Sequence, residues 1–324
     1  MNELEREIRR LIAAAGPISF DRFMELALYH PQLGYYCRPR SPFGRHGDYY
    51  TNAQLQPVFG RLIAQKFAAW EKQLDSPGEF TVVELGAGQG ETAHQVRSCF
   101  EQIRYVELEK RRGALPERLI GIVFANEFFD ALPVRVVGNA RERLIGVENE
   151  RLAWVEGSSL PPELAGYRQR YAPSAAPDQV VEVNLEALEW IEKIARSLDR
   201  GFVLIIDYGY TEPEIAGGRR FAEGSLMSYH RHTACADVLA DPGERDITAH
   251  VNFTALAQRG EELGLRAWPL KTQAQFLLSI GQADEFGFAL AASTEPETLR
   301  HRMLLKTLLA GLGETFRVLV LEKL

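Results

Sequence analysis

The chain has 324 residues, a formal net charge of -7 and a pI near 5.6. That length provides for one large α/β domain with insertions or for two smaller domains sharing a cleft, and the acidic balance argues against a nucleic-acid backbone as the main partner. No window reaches the roughly 18 consecutive apolar residues of a membrane span. Cys37, Cys99 and Cys235 form no C-x-x-C pair, so neither a zinc site nor a disulfide framework is expected and a reduced cytoplasm fits.

Leu4, Ile8, Leu11 and Ile12 repeat at helical spacing among Glu3, Glu5 and Glu7. The N-terminus therefore reads as a docked helix, since transit peptides are poor in acids and secretory signals need an unbroken apolar stretch. Phe20, Phe23, Leu26 and Leu28 read as helix core. From His30 to Asp48 the chain is rich in turn residues. The glycine- and aromatic-rich loop Gly44 to Thr51 is either a packed Ω-loop or a lid over a ligand, with Tyr49 and Thr51 as contacts.

Strands then alternate with helices: Thr81 to Leu85, Ile103 to Glu107, Ile120 to Ala125, and Val203 to Asp207 after a helix from Leu185 to Leu198. Alternation of this kind implies a mostly parallel, doubly wound sheet. Val134 to Val137, Leu144 to Val147 and Leu152 to Val155 read as short antiparallel strands inserted into it. A helix from Pro296 to Leu309 and a last strand from Phe316 to Leu321 complete the pattern.

The run Val82-Val83-Glu84-Leu85-Gly86-Ala87-Gly88-Gln89-Gly90 sets an apolar strand, an acid and alternating glycines before a helix opening at about Glu91. Glycine lets the backbone turn sharply and approach a ligand. A dinucleotide fingerprint reads G-x-G-x-x-G and seats a pyrophosphate, whereas the G-x-G-x-G spacing behind an acid suits S-adenosylmethionine (SAM), whose ammonium and sulfonium favour a carboxylate such as Glu84. Glu107, about 20 residues past the glycines, stands where an α/β nucleotide site places its ribose-binding acid.

Ligands in open parallel sheets lie beyond the carboxyl ends of the strands. There, Asn126-Glu127-Phe128-Phe129-Asp130-Ala131-Leu132-Pro133 follows an apolar strand, so these side chains are expected to face the transferred methyl. Glu127 and Asp130 are candidates for gripping a cationic acceptor through paired charge-assisted hydrogen bonds, with Asn126 on cofactor or acceptor; for Asp130 the alternative is a helix N-cap. Asp207 either holds an acceptor nitrogen or ends its strand in an ordinary turn. His250 either accepts a proton near neutral pH or is a hydrogen-bonded structural histidine. His230 and His232 lack a second ligand cluster, and no metal is expected.

These motifs stand in an order that resembles the MidA-like family of SAM-dependent methyltransferases, from about Pro17 to the C-terminus. The resemblance rests on Leu33-Gly34-Tyr35-Tyr36, Gly47-Asp48-Tyr49, Phe59-Gly60, Glu84 to Gly88, Asn126 to Pro133, Ile206-Asp207-Tyr208-Gly209, Asp246 to Val251, Gln273 with Phe276-Leu277, and Phe316 to Leu319. It implies a class I, Rossmann-like methyltransferase sheet with an N-terminal helical and lid region over residues 1–75. The methyltransferase domain would span 76–324, with insertions at about 134–177 and 211–250.

The family's mitochondrial member is a complex I assembly factor that methylates an arginine of a complex I subunit. The resemblance thus implies SAM as cofactor and a protein side chain, an arginine nitrogen, as acceptor. Glu84, Gly86, Ala87, Gly88, Gly90, Glu107 and Asn126, with Tyr49 and Thr51, would hold the cofactor; Glu127, Asp130, Asp207 and His250 would serve the acceptor. A non-catalytic assembly factor and a small-molecule N-methyltransferase are the alternatives, and a homodimer is compatible with the apolar segments.

The chain departs from the family at Ala53-Gln54-Leu55-Gln56, where amides replace a carboxylate and a hydroxyl, and at Asn252, where aspartate is usual. Only Leu108 to Leu119 separates Glu107 from the next strand, so the edge strand after the second strand is expected to be missing.

Overall fold

A computed structural model describes residues 1–38, 52, 55–100, 103–217, 221–230 and 233–324. The chain divides into two compact units. The sheet unit gathers Thr51–Phe129, Glu189–Gly209 and Leu256–Leu324. Its strands are β1 (Thr81–Leu85), β2 (Arg104–Leu108), β3 (Leu119–Asn126), β4 (Leu198–Tyr210), β5 (Arg266–Ala267), β6 (Lys271–Thr272) and β7 (Phe316–Lys323).

They lie in the order β5-β7-β4-β3-β1-β2, with β6 also paired to β7. β2, β1, β3 and β4 run parallel, and β7 is antiparallel to β4. Val82, Val83, Ile122, Val123 and Val203 to Ile206 are all buried. Such runs, apolar at every position, belong to parallel strands covered on both faces. Helix α1 (Val58–Gln73) and helix α2 (Glu91–Cys99) bring Phe59, Phe67, Trp70, Ala93 and Val96 into one cluster with Val82, Ile122, Phe124 and Phe202. Trp70 stacks on Phe202 with ring centroids 4.6 Å apart.

Three further helices are α3 (Leu185–Ser197), α4 (Gln273–Gly281) and α5 (Glu295–Lys306). The predicted strands and helices are thus present; β3, β4 and β7 run longer than predicted, and α3 and α5 end sooner. Among the described residues β2 is the sheet's edge. The connection to β3 opens on a bridge between Glu109 and Arg112 and continues through Gly113 at φ +91, so the expected loss of the following edge strand holds.

The other unit gathers Met1–Tyr50, Asp130–Leu188 and Tyr210–Ala255. Helices Glu3–Ala15 and Phe20–Tyr29 bury Leu4, Ile8, Phe20, Phe23 and Leu28 with Val134, Val136, Ile145 and Ile247. The predicted inserted strands form at Arg135–Gly138, Arg141–Glu148 and Arg151–Glu156, all antiparallel.

This division differs from a boundary near residue 75. Ile18 and Ser19 pair with Ile145 and Leu144, which ties the first two helices to the inserted sheet. The α1 helix instead packs its aromatic face on the parallel sheet. The insertions and the N-terminus thus share one core.

Candidate active site

The turn between β1 and α2 is built on glycine for a conformational reason. Gly86, Gly88 and Gly90 stand at φ +68, +59 and +73, the left-handed region that costs other L-residues about 1–2 kcal/mol. The Gly90 N–H donates to the Ala87 carbonyl at 2.9 Å and closes the turn. A Cβ at Gly90 would lie 2.8 Å from Glu107 Oε2, and one at Gly86 2.9 Å from Phe128 Cδ2. The glycines therefore let the backbone nest against both the acid of β2 and the residues after β3.

Parallel register sets Glu84 beside Glu107 on β2 and Phe124 on β3. Glu84 is 4% exposed, and its Oε2 accepts the Tyr105 hydroxyl at 2.9 Å. Burial pushes its carboxyl up to about 8; the hydrogen bond from Tyr105 opposes this, while Glu107, Glu109 and Glu91 add to it. Burial first, then Glu84, pushes the Tyr105 phenol well above its ordinary value. Glu107 is more open and pairs with Arg97 at 2.6 Å. Glu109 accepts the Gly88 N–H at 2.9 Å, and burial raises its carboxyl as well.

These residues fit SAM. A buried acid ringed by like charges is the environment that a cationic ammonium and sulfonium relieve. The Thr92 hydroxyl, on the first turn of α2, is buried and finds no hydrogen-bond partner among the described residues.

Beyond β3 the chain turns sharply. Glu127 is half-buried at φ +54, an uncommon backbone for a residue with a side chain, and such outliers cluster at functional sites. Its N–H donates to the Ile206 carbonyl at 2.9 Å. Its Oε1 accepts the Asn52 N–H at 2.9 Å and Asn126 Nδ2 at 3.0 Å. Asn52 in turn pairs with Gln273, and both are fully buried. Phe128 carries this turn to the cofactor side, against Gly86, with Trp190 edge-on at 5.2 Å.

Asp207 is placed differently from an acceptor contact. It is fully buried; Oδ2 accepts the N–H groups of Phe128 at 3.2 Å and Phe129 at 2.8 Å, and Oδ1 that of Tyr208 at 2.8 Å. The carboxylate thus braces the turn that carries Glu127, and the geometry makes it a positioning residue.

In the other unit, Asp130 is 6% exposed and its carbonyl accepts the Ala249 N–H at 2.9 Å. Burial, then Asp130 and Asp246, raise the nearby Tyr229 hydroxyl. The His250 ring packs between Tyr210 and Phe221, the backbone N–H of His250 donates to Ser225 Oγ at 2.9 Å, and the residue lines a small pocket with Glu182 and Glu212. Tyr49, Thr51, His232, Gln54 and the proposed lid lie outside the described residues.

The structure thus brings together Glu84, Gly86, Ala87, Gly88, Gly90 and Glu107 in one turn and Asn126, Glu127 and Asp207 in the next. Sequence reasoning missed Asn52, Tyr105 and Glu109, and gave Gln273 no role. Tyr105 had a signal, since it stands two residues before Glu107 on the same strand face. Asn52 and Gln273 are 221 residues apart, and nothing local joins them.

A family model described as S-adenosyl-L-methionine-dependent methyltransferase matches residues 95–269, more than half of the chain. A crystal structure of a Burkholderia thailandensis protein bound to S-adenosyl-homocysteine is 29% identical with a TM-score of 0.87, covering 99% of this chain and 92% of that one. The mitochondrial protein arginine methyltransferase NDUFAF7 homolog of Drosophila melanogaster is 28% identical over 81% of this chain and 70% of its own length. The Homo sapiens protein arginine methyltransferase NDUFAF7 is 24% identical over 92% and 78%. The family model covers more than half of the chain, and the chain belongs to this family of SAM-dependent methyltransferases.

Proposed function

We propose that the chain transfers the methyl group of SAM to an arginine nitrogen of a partner protein, such as a respiratory complex I subunit, in the cytoplasm. SAM supplies an electrophilic methyl carbon on a sulfonium. Glu84, the glycine turn with Ala87, and Glu107 would hold the cofactor, with Asn126 on cofactor or acceptor. Glu127 grips the guanidinium through charge-assisted hydrogen bonds, aligns its nitrogen with the methyl carbon and takes up the proton released on transfer. Asp207 braces the turn behind it. Asp130 and His250 are further candidates for acceptor contacts, and Tyr49 and Thr51 for the lid.

The observation that carries this reading is Glu127, held in a left-handed turn with one oxygen fixed by two N–H donors, directly before the phenylalanine that abuts Gly86. The names of the relatives, protein arginine methyltransferases, support a guanidinium acceptor.

The test is a lysate incubated with methyl-labelled SAM and purified protein, with and without Glu127→Gln. Label is expected on arginine of a protein; the variant should bind S-adenosylhomocysteine within about twofold of wild type yet lose roughly 10²–10⁴-fold of the labelling rate. Label confined to small molecules, or Glu127→Gln labelling at the wild-type rate, would overturn the reading. A protein that binds partners but never labels them would be a non-catalytic assembly factor.

A further inference from the structure

We propose that Gln273 is a positioning residue for methyl transfer, acting through Asn52 on the carboxylate of Glu127. This rests on the role given to Glu127 above. Gln273 is the first residue of α4 and is 0% exposed, as is Asn52. The two amides form a reciprocal pair: Asn52 Nδ2 donates to Gln273 Oε1 at 2.8 Å, and Gln273 Nε2 donates to Asn52 Oδ1 at 3.1 Å. Gln273 Nε2 also donates to the Leu308 carbonyl at 3.3 Å. Asn52 Nδ2 also donates to Asn126 Oδ1 at 3.3 Å.

The direction of every bond follows from one anchor. A backbone carbonyl only accepts, so Leu308 turns the NH₂ of Gln273 towards itself and leaves Oε1 for Asn52. Asn52 must then present its own NH₂ to Gln273, and the second hydrogen of that group reaches Asn126 Oδ1. Asn126 is left with its NH₂ on Glu127 Oε1, where the Asn52 backbone N–H also donates.

An ionised Glu127 only accepts and so favours the NH₂ end of Asn126, and the amide chain anchored at Leu308 is oriented in the same sense. Glu127 thus meets two donors on one oxygen, an arrangement suited to an acceptor-only carboxylate. Buried amide networks of this kind are rigid when every member is satisfied. Gln273 thereby reinforces both the place and the hydrogen-bonding sense of a carboxylate that it does not touch.

Gln273→Leu removes the anchor, and Phe276→Leu, a buried change three residues along the same helix, controls for general loosening. With ¹³C-labelled glutamate and the Glu127 carboxyl resonance assigned by its loss in Glu127→Gln, Gln273→Leu is expected to shift that resonance and Phe276→Leu to leave it in place. This readout needs no acceptor, so it stands even if the arginine reading fails.

In the labelling assay, Gln273→Leu should lower kcat about 10- to 100-fold, as small misplacements of reacting groups do. KM for SAM and the affinity for S-adenosylhomocysteine should stay within about twofold. In the Glu127→Gln background the same change should add less than about twofold. An unmoved resonance in Gln273→Leu, an equal shift in both variants, or equal slowing in both backgrounds would overturn the proposal.

Discussion

Replacing Gly90 by alanine separates the two demands that the cofactor turn makes on glycine. At φ +73 the backbone alone costs an alanine about 1–2 kcal/mol, which should appear as lost stability. The added methyl would also lie 2.8 Å from Glu107 Oε2. Since that oxygen ends a flexible side chain, it can swing away at little cost to folding, but Arg97 holds the other oxygen at 2.6 Å, so the carboxylate rotates about that contact. If Glu107 binds the ribose hydroxyls, as its place past the glycines predicts, a rotated carboxylate would no longer meet them squarely. Hydrogen bonds to charged groups are worth about 1.5–3 kcal/mol, and losing even about 1.4 kcal/mol is tenfold in affinity. Titration calorimetry with S-adenosylhomocysteine should therefore show Gly90→Ala binding at least about tenfold more weakly. Gly264 is the control: it stands at φ +84 with nothing within 4 Å of an added Cβ, so Gly264→Ala should lose similar stability and bind as wild type. Wild-type affinity in folded Gly90→Ala would refute the placement of ribose on Glu107.

Two predictions concern the buried acids. The Glu84 carboxyl keeps its proton up to about pH 8 in the ligand-free fold but releases it near 4.5 when unfolded, so the native state binds more protons between those values. Stability should fall as pH rises through that window, by at most about 1.4 kcal/mol per unit, and level off above it; urea unfolding of Glu84→Gln should lack this component, and an unchanged slope would count against burial as the cause. Asp207→Asn places an amide where one carboxylate accepts three backbone N–H groups, and a loss of about 3 kcal/mol in urea unfolding is expected; a loss below about 1 kcal/mol would mean that the brace contributes little.

The sheet was legible in the sequence because its signals are local. Val82 to Leu85 and Val203 to Asp207 are apolar at almost every position, and both are interior strands. The short connection between Glu107 and Ile120 could be counted residue by residue, and it forecast β2 as the edge. Glycine spacing carried the cofactor turn, since positive φ is a property of single residues. What stayed hidden depends on register and distance. Asp207 reads from the sequence as a strand end, as an acceptor-binding residue would, but β4 continues to Tyr210, and its pairing with β3 brings the backbone amides of Phe128 and Phe129 onto the carboxylate. The allegiance of α1 also required the fold, because an amphipathic helix does not state which sheet it will cover.

Two of the departures that weakened a catalytic reading have local physical reasons. Asn252 uses both ends of its amide: Nδ2 donates to the Tyr171 carbonyl at 2.8 Å, and Oδ1 accepts the Ala255 N–H at 3.1 Å. Aspartate could cap the helix in the second way but could not donate in the first. The amide therefore suits the contact with Tyr171, and its neutrality says nothing of the acceptor. Gln56 Oε1 accepts the Gly60 N–H at 2.9 Å, at the start of α1, so a side-chain oxygen still meets a backbone N–H that the first turn of a helix leaves unsatisfied. In both positions the amide makes a backbone contact. Glu127 supplies the charge at the end of β3, and the glycine turn the close approach at the end of β1.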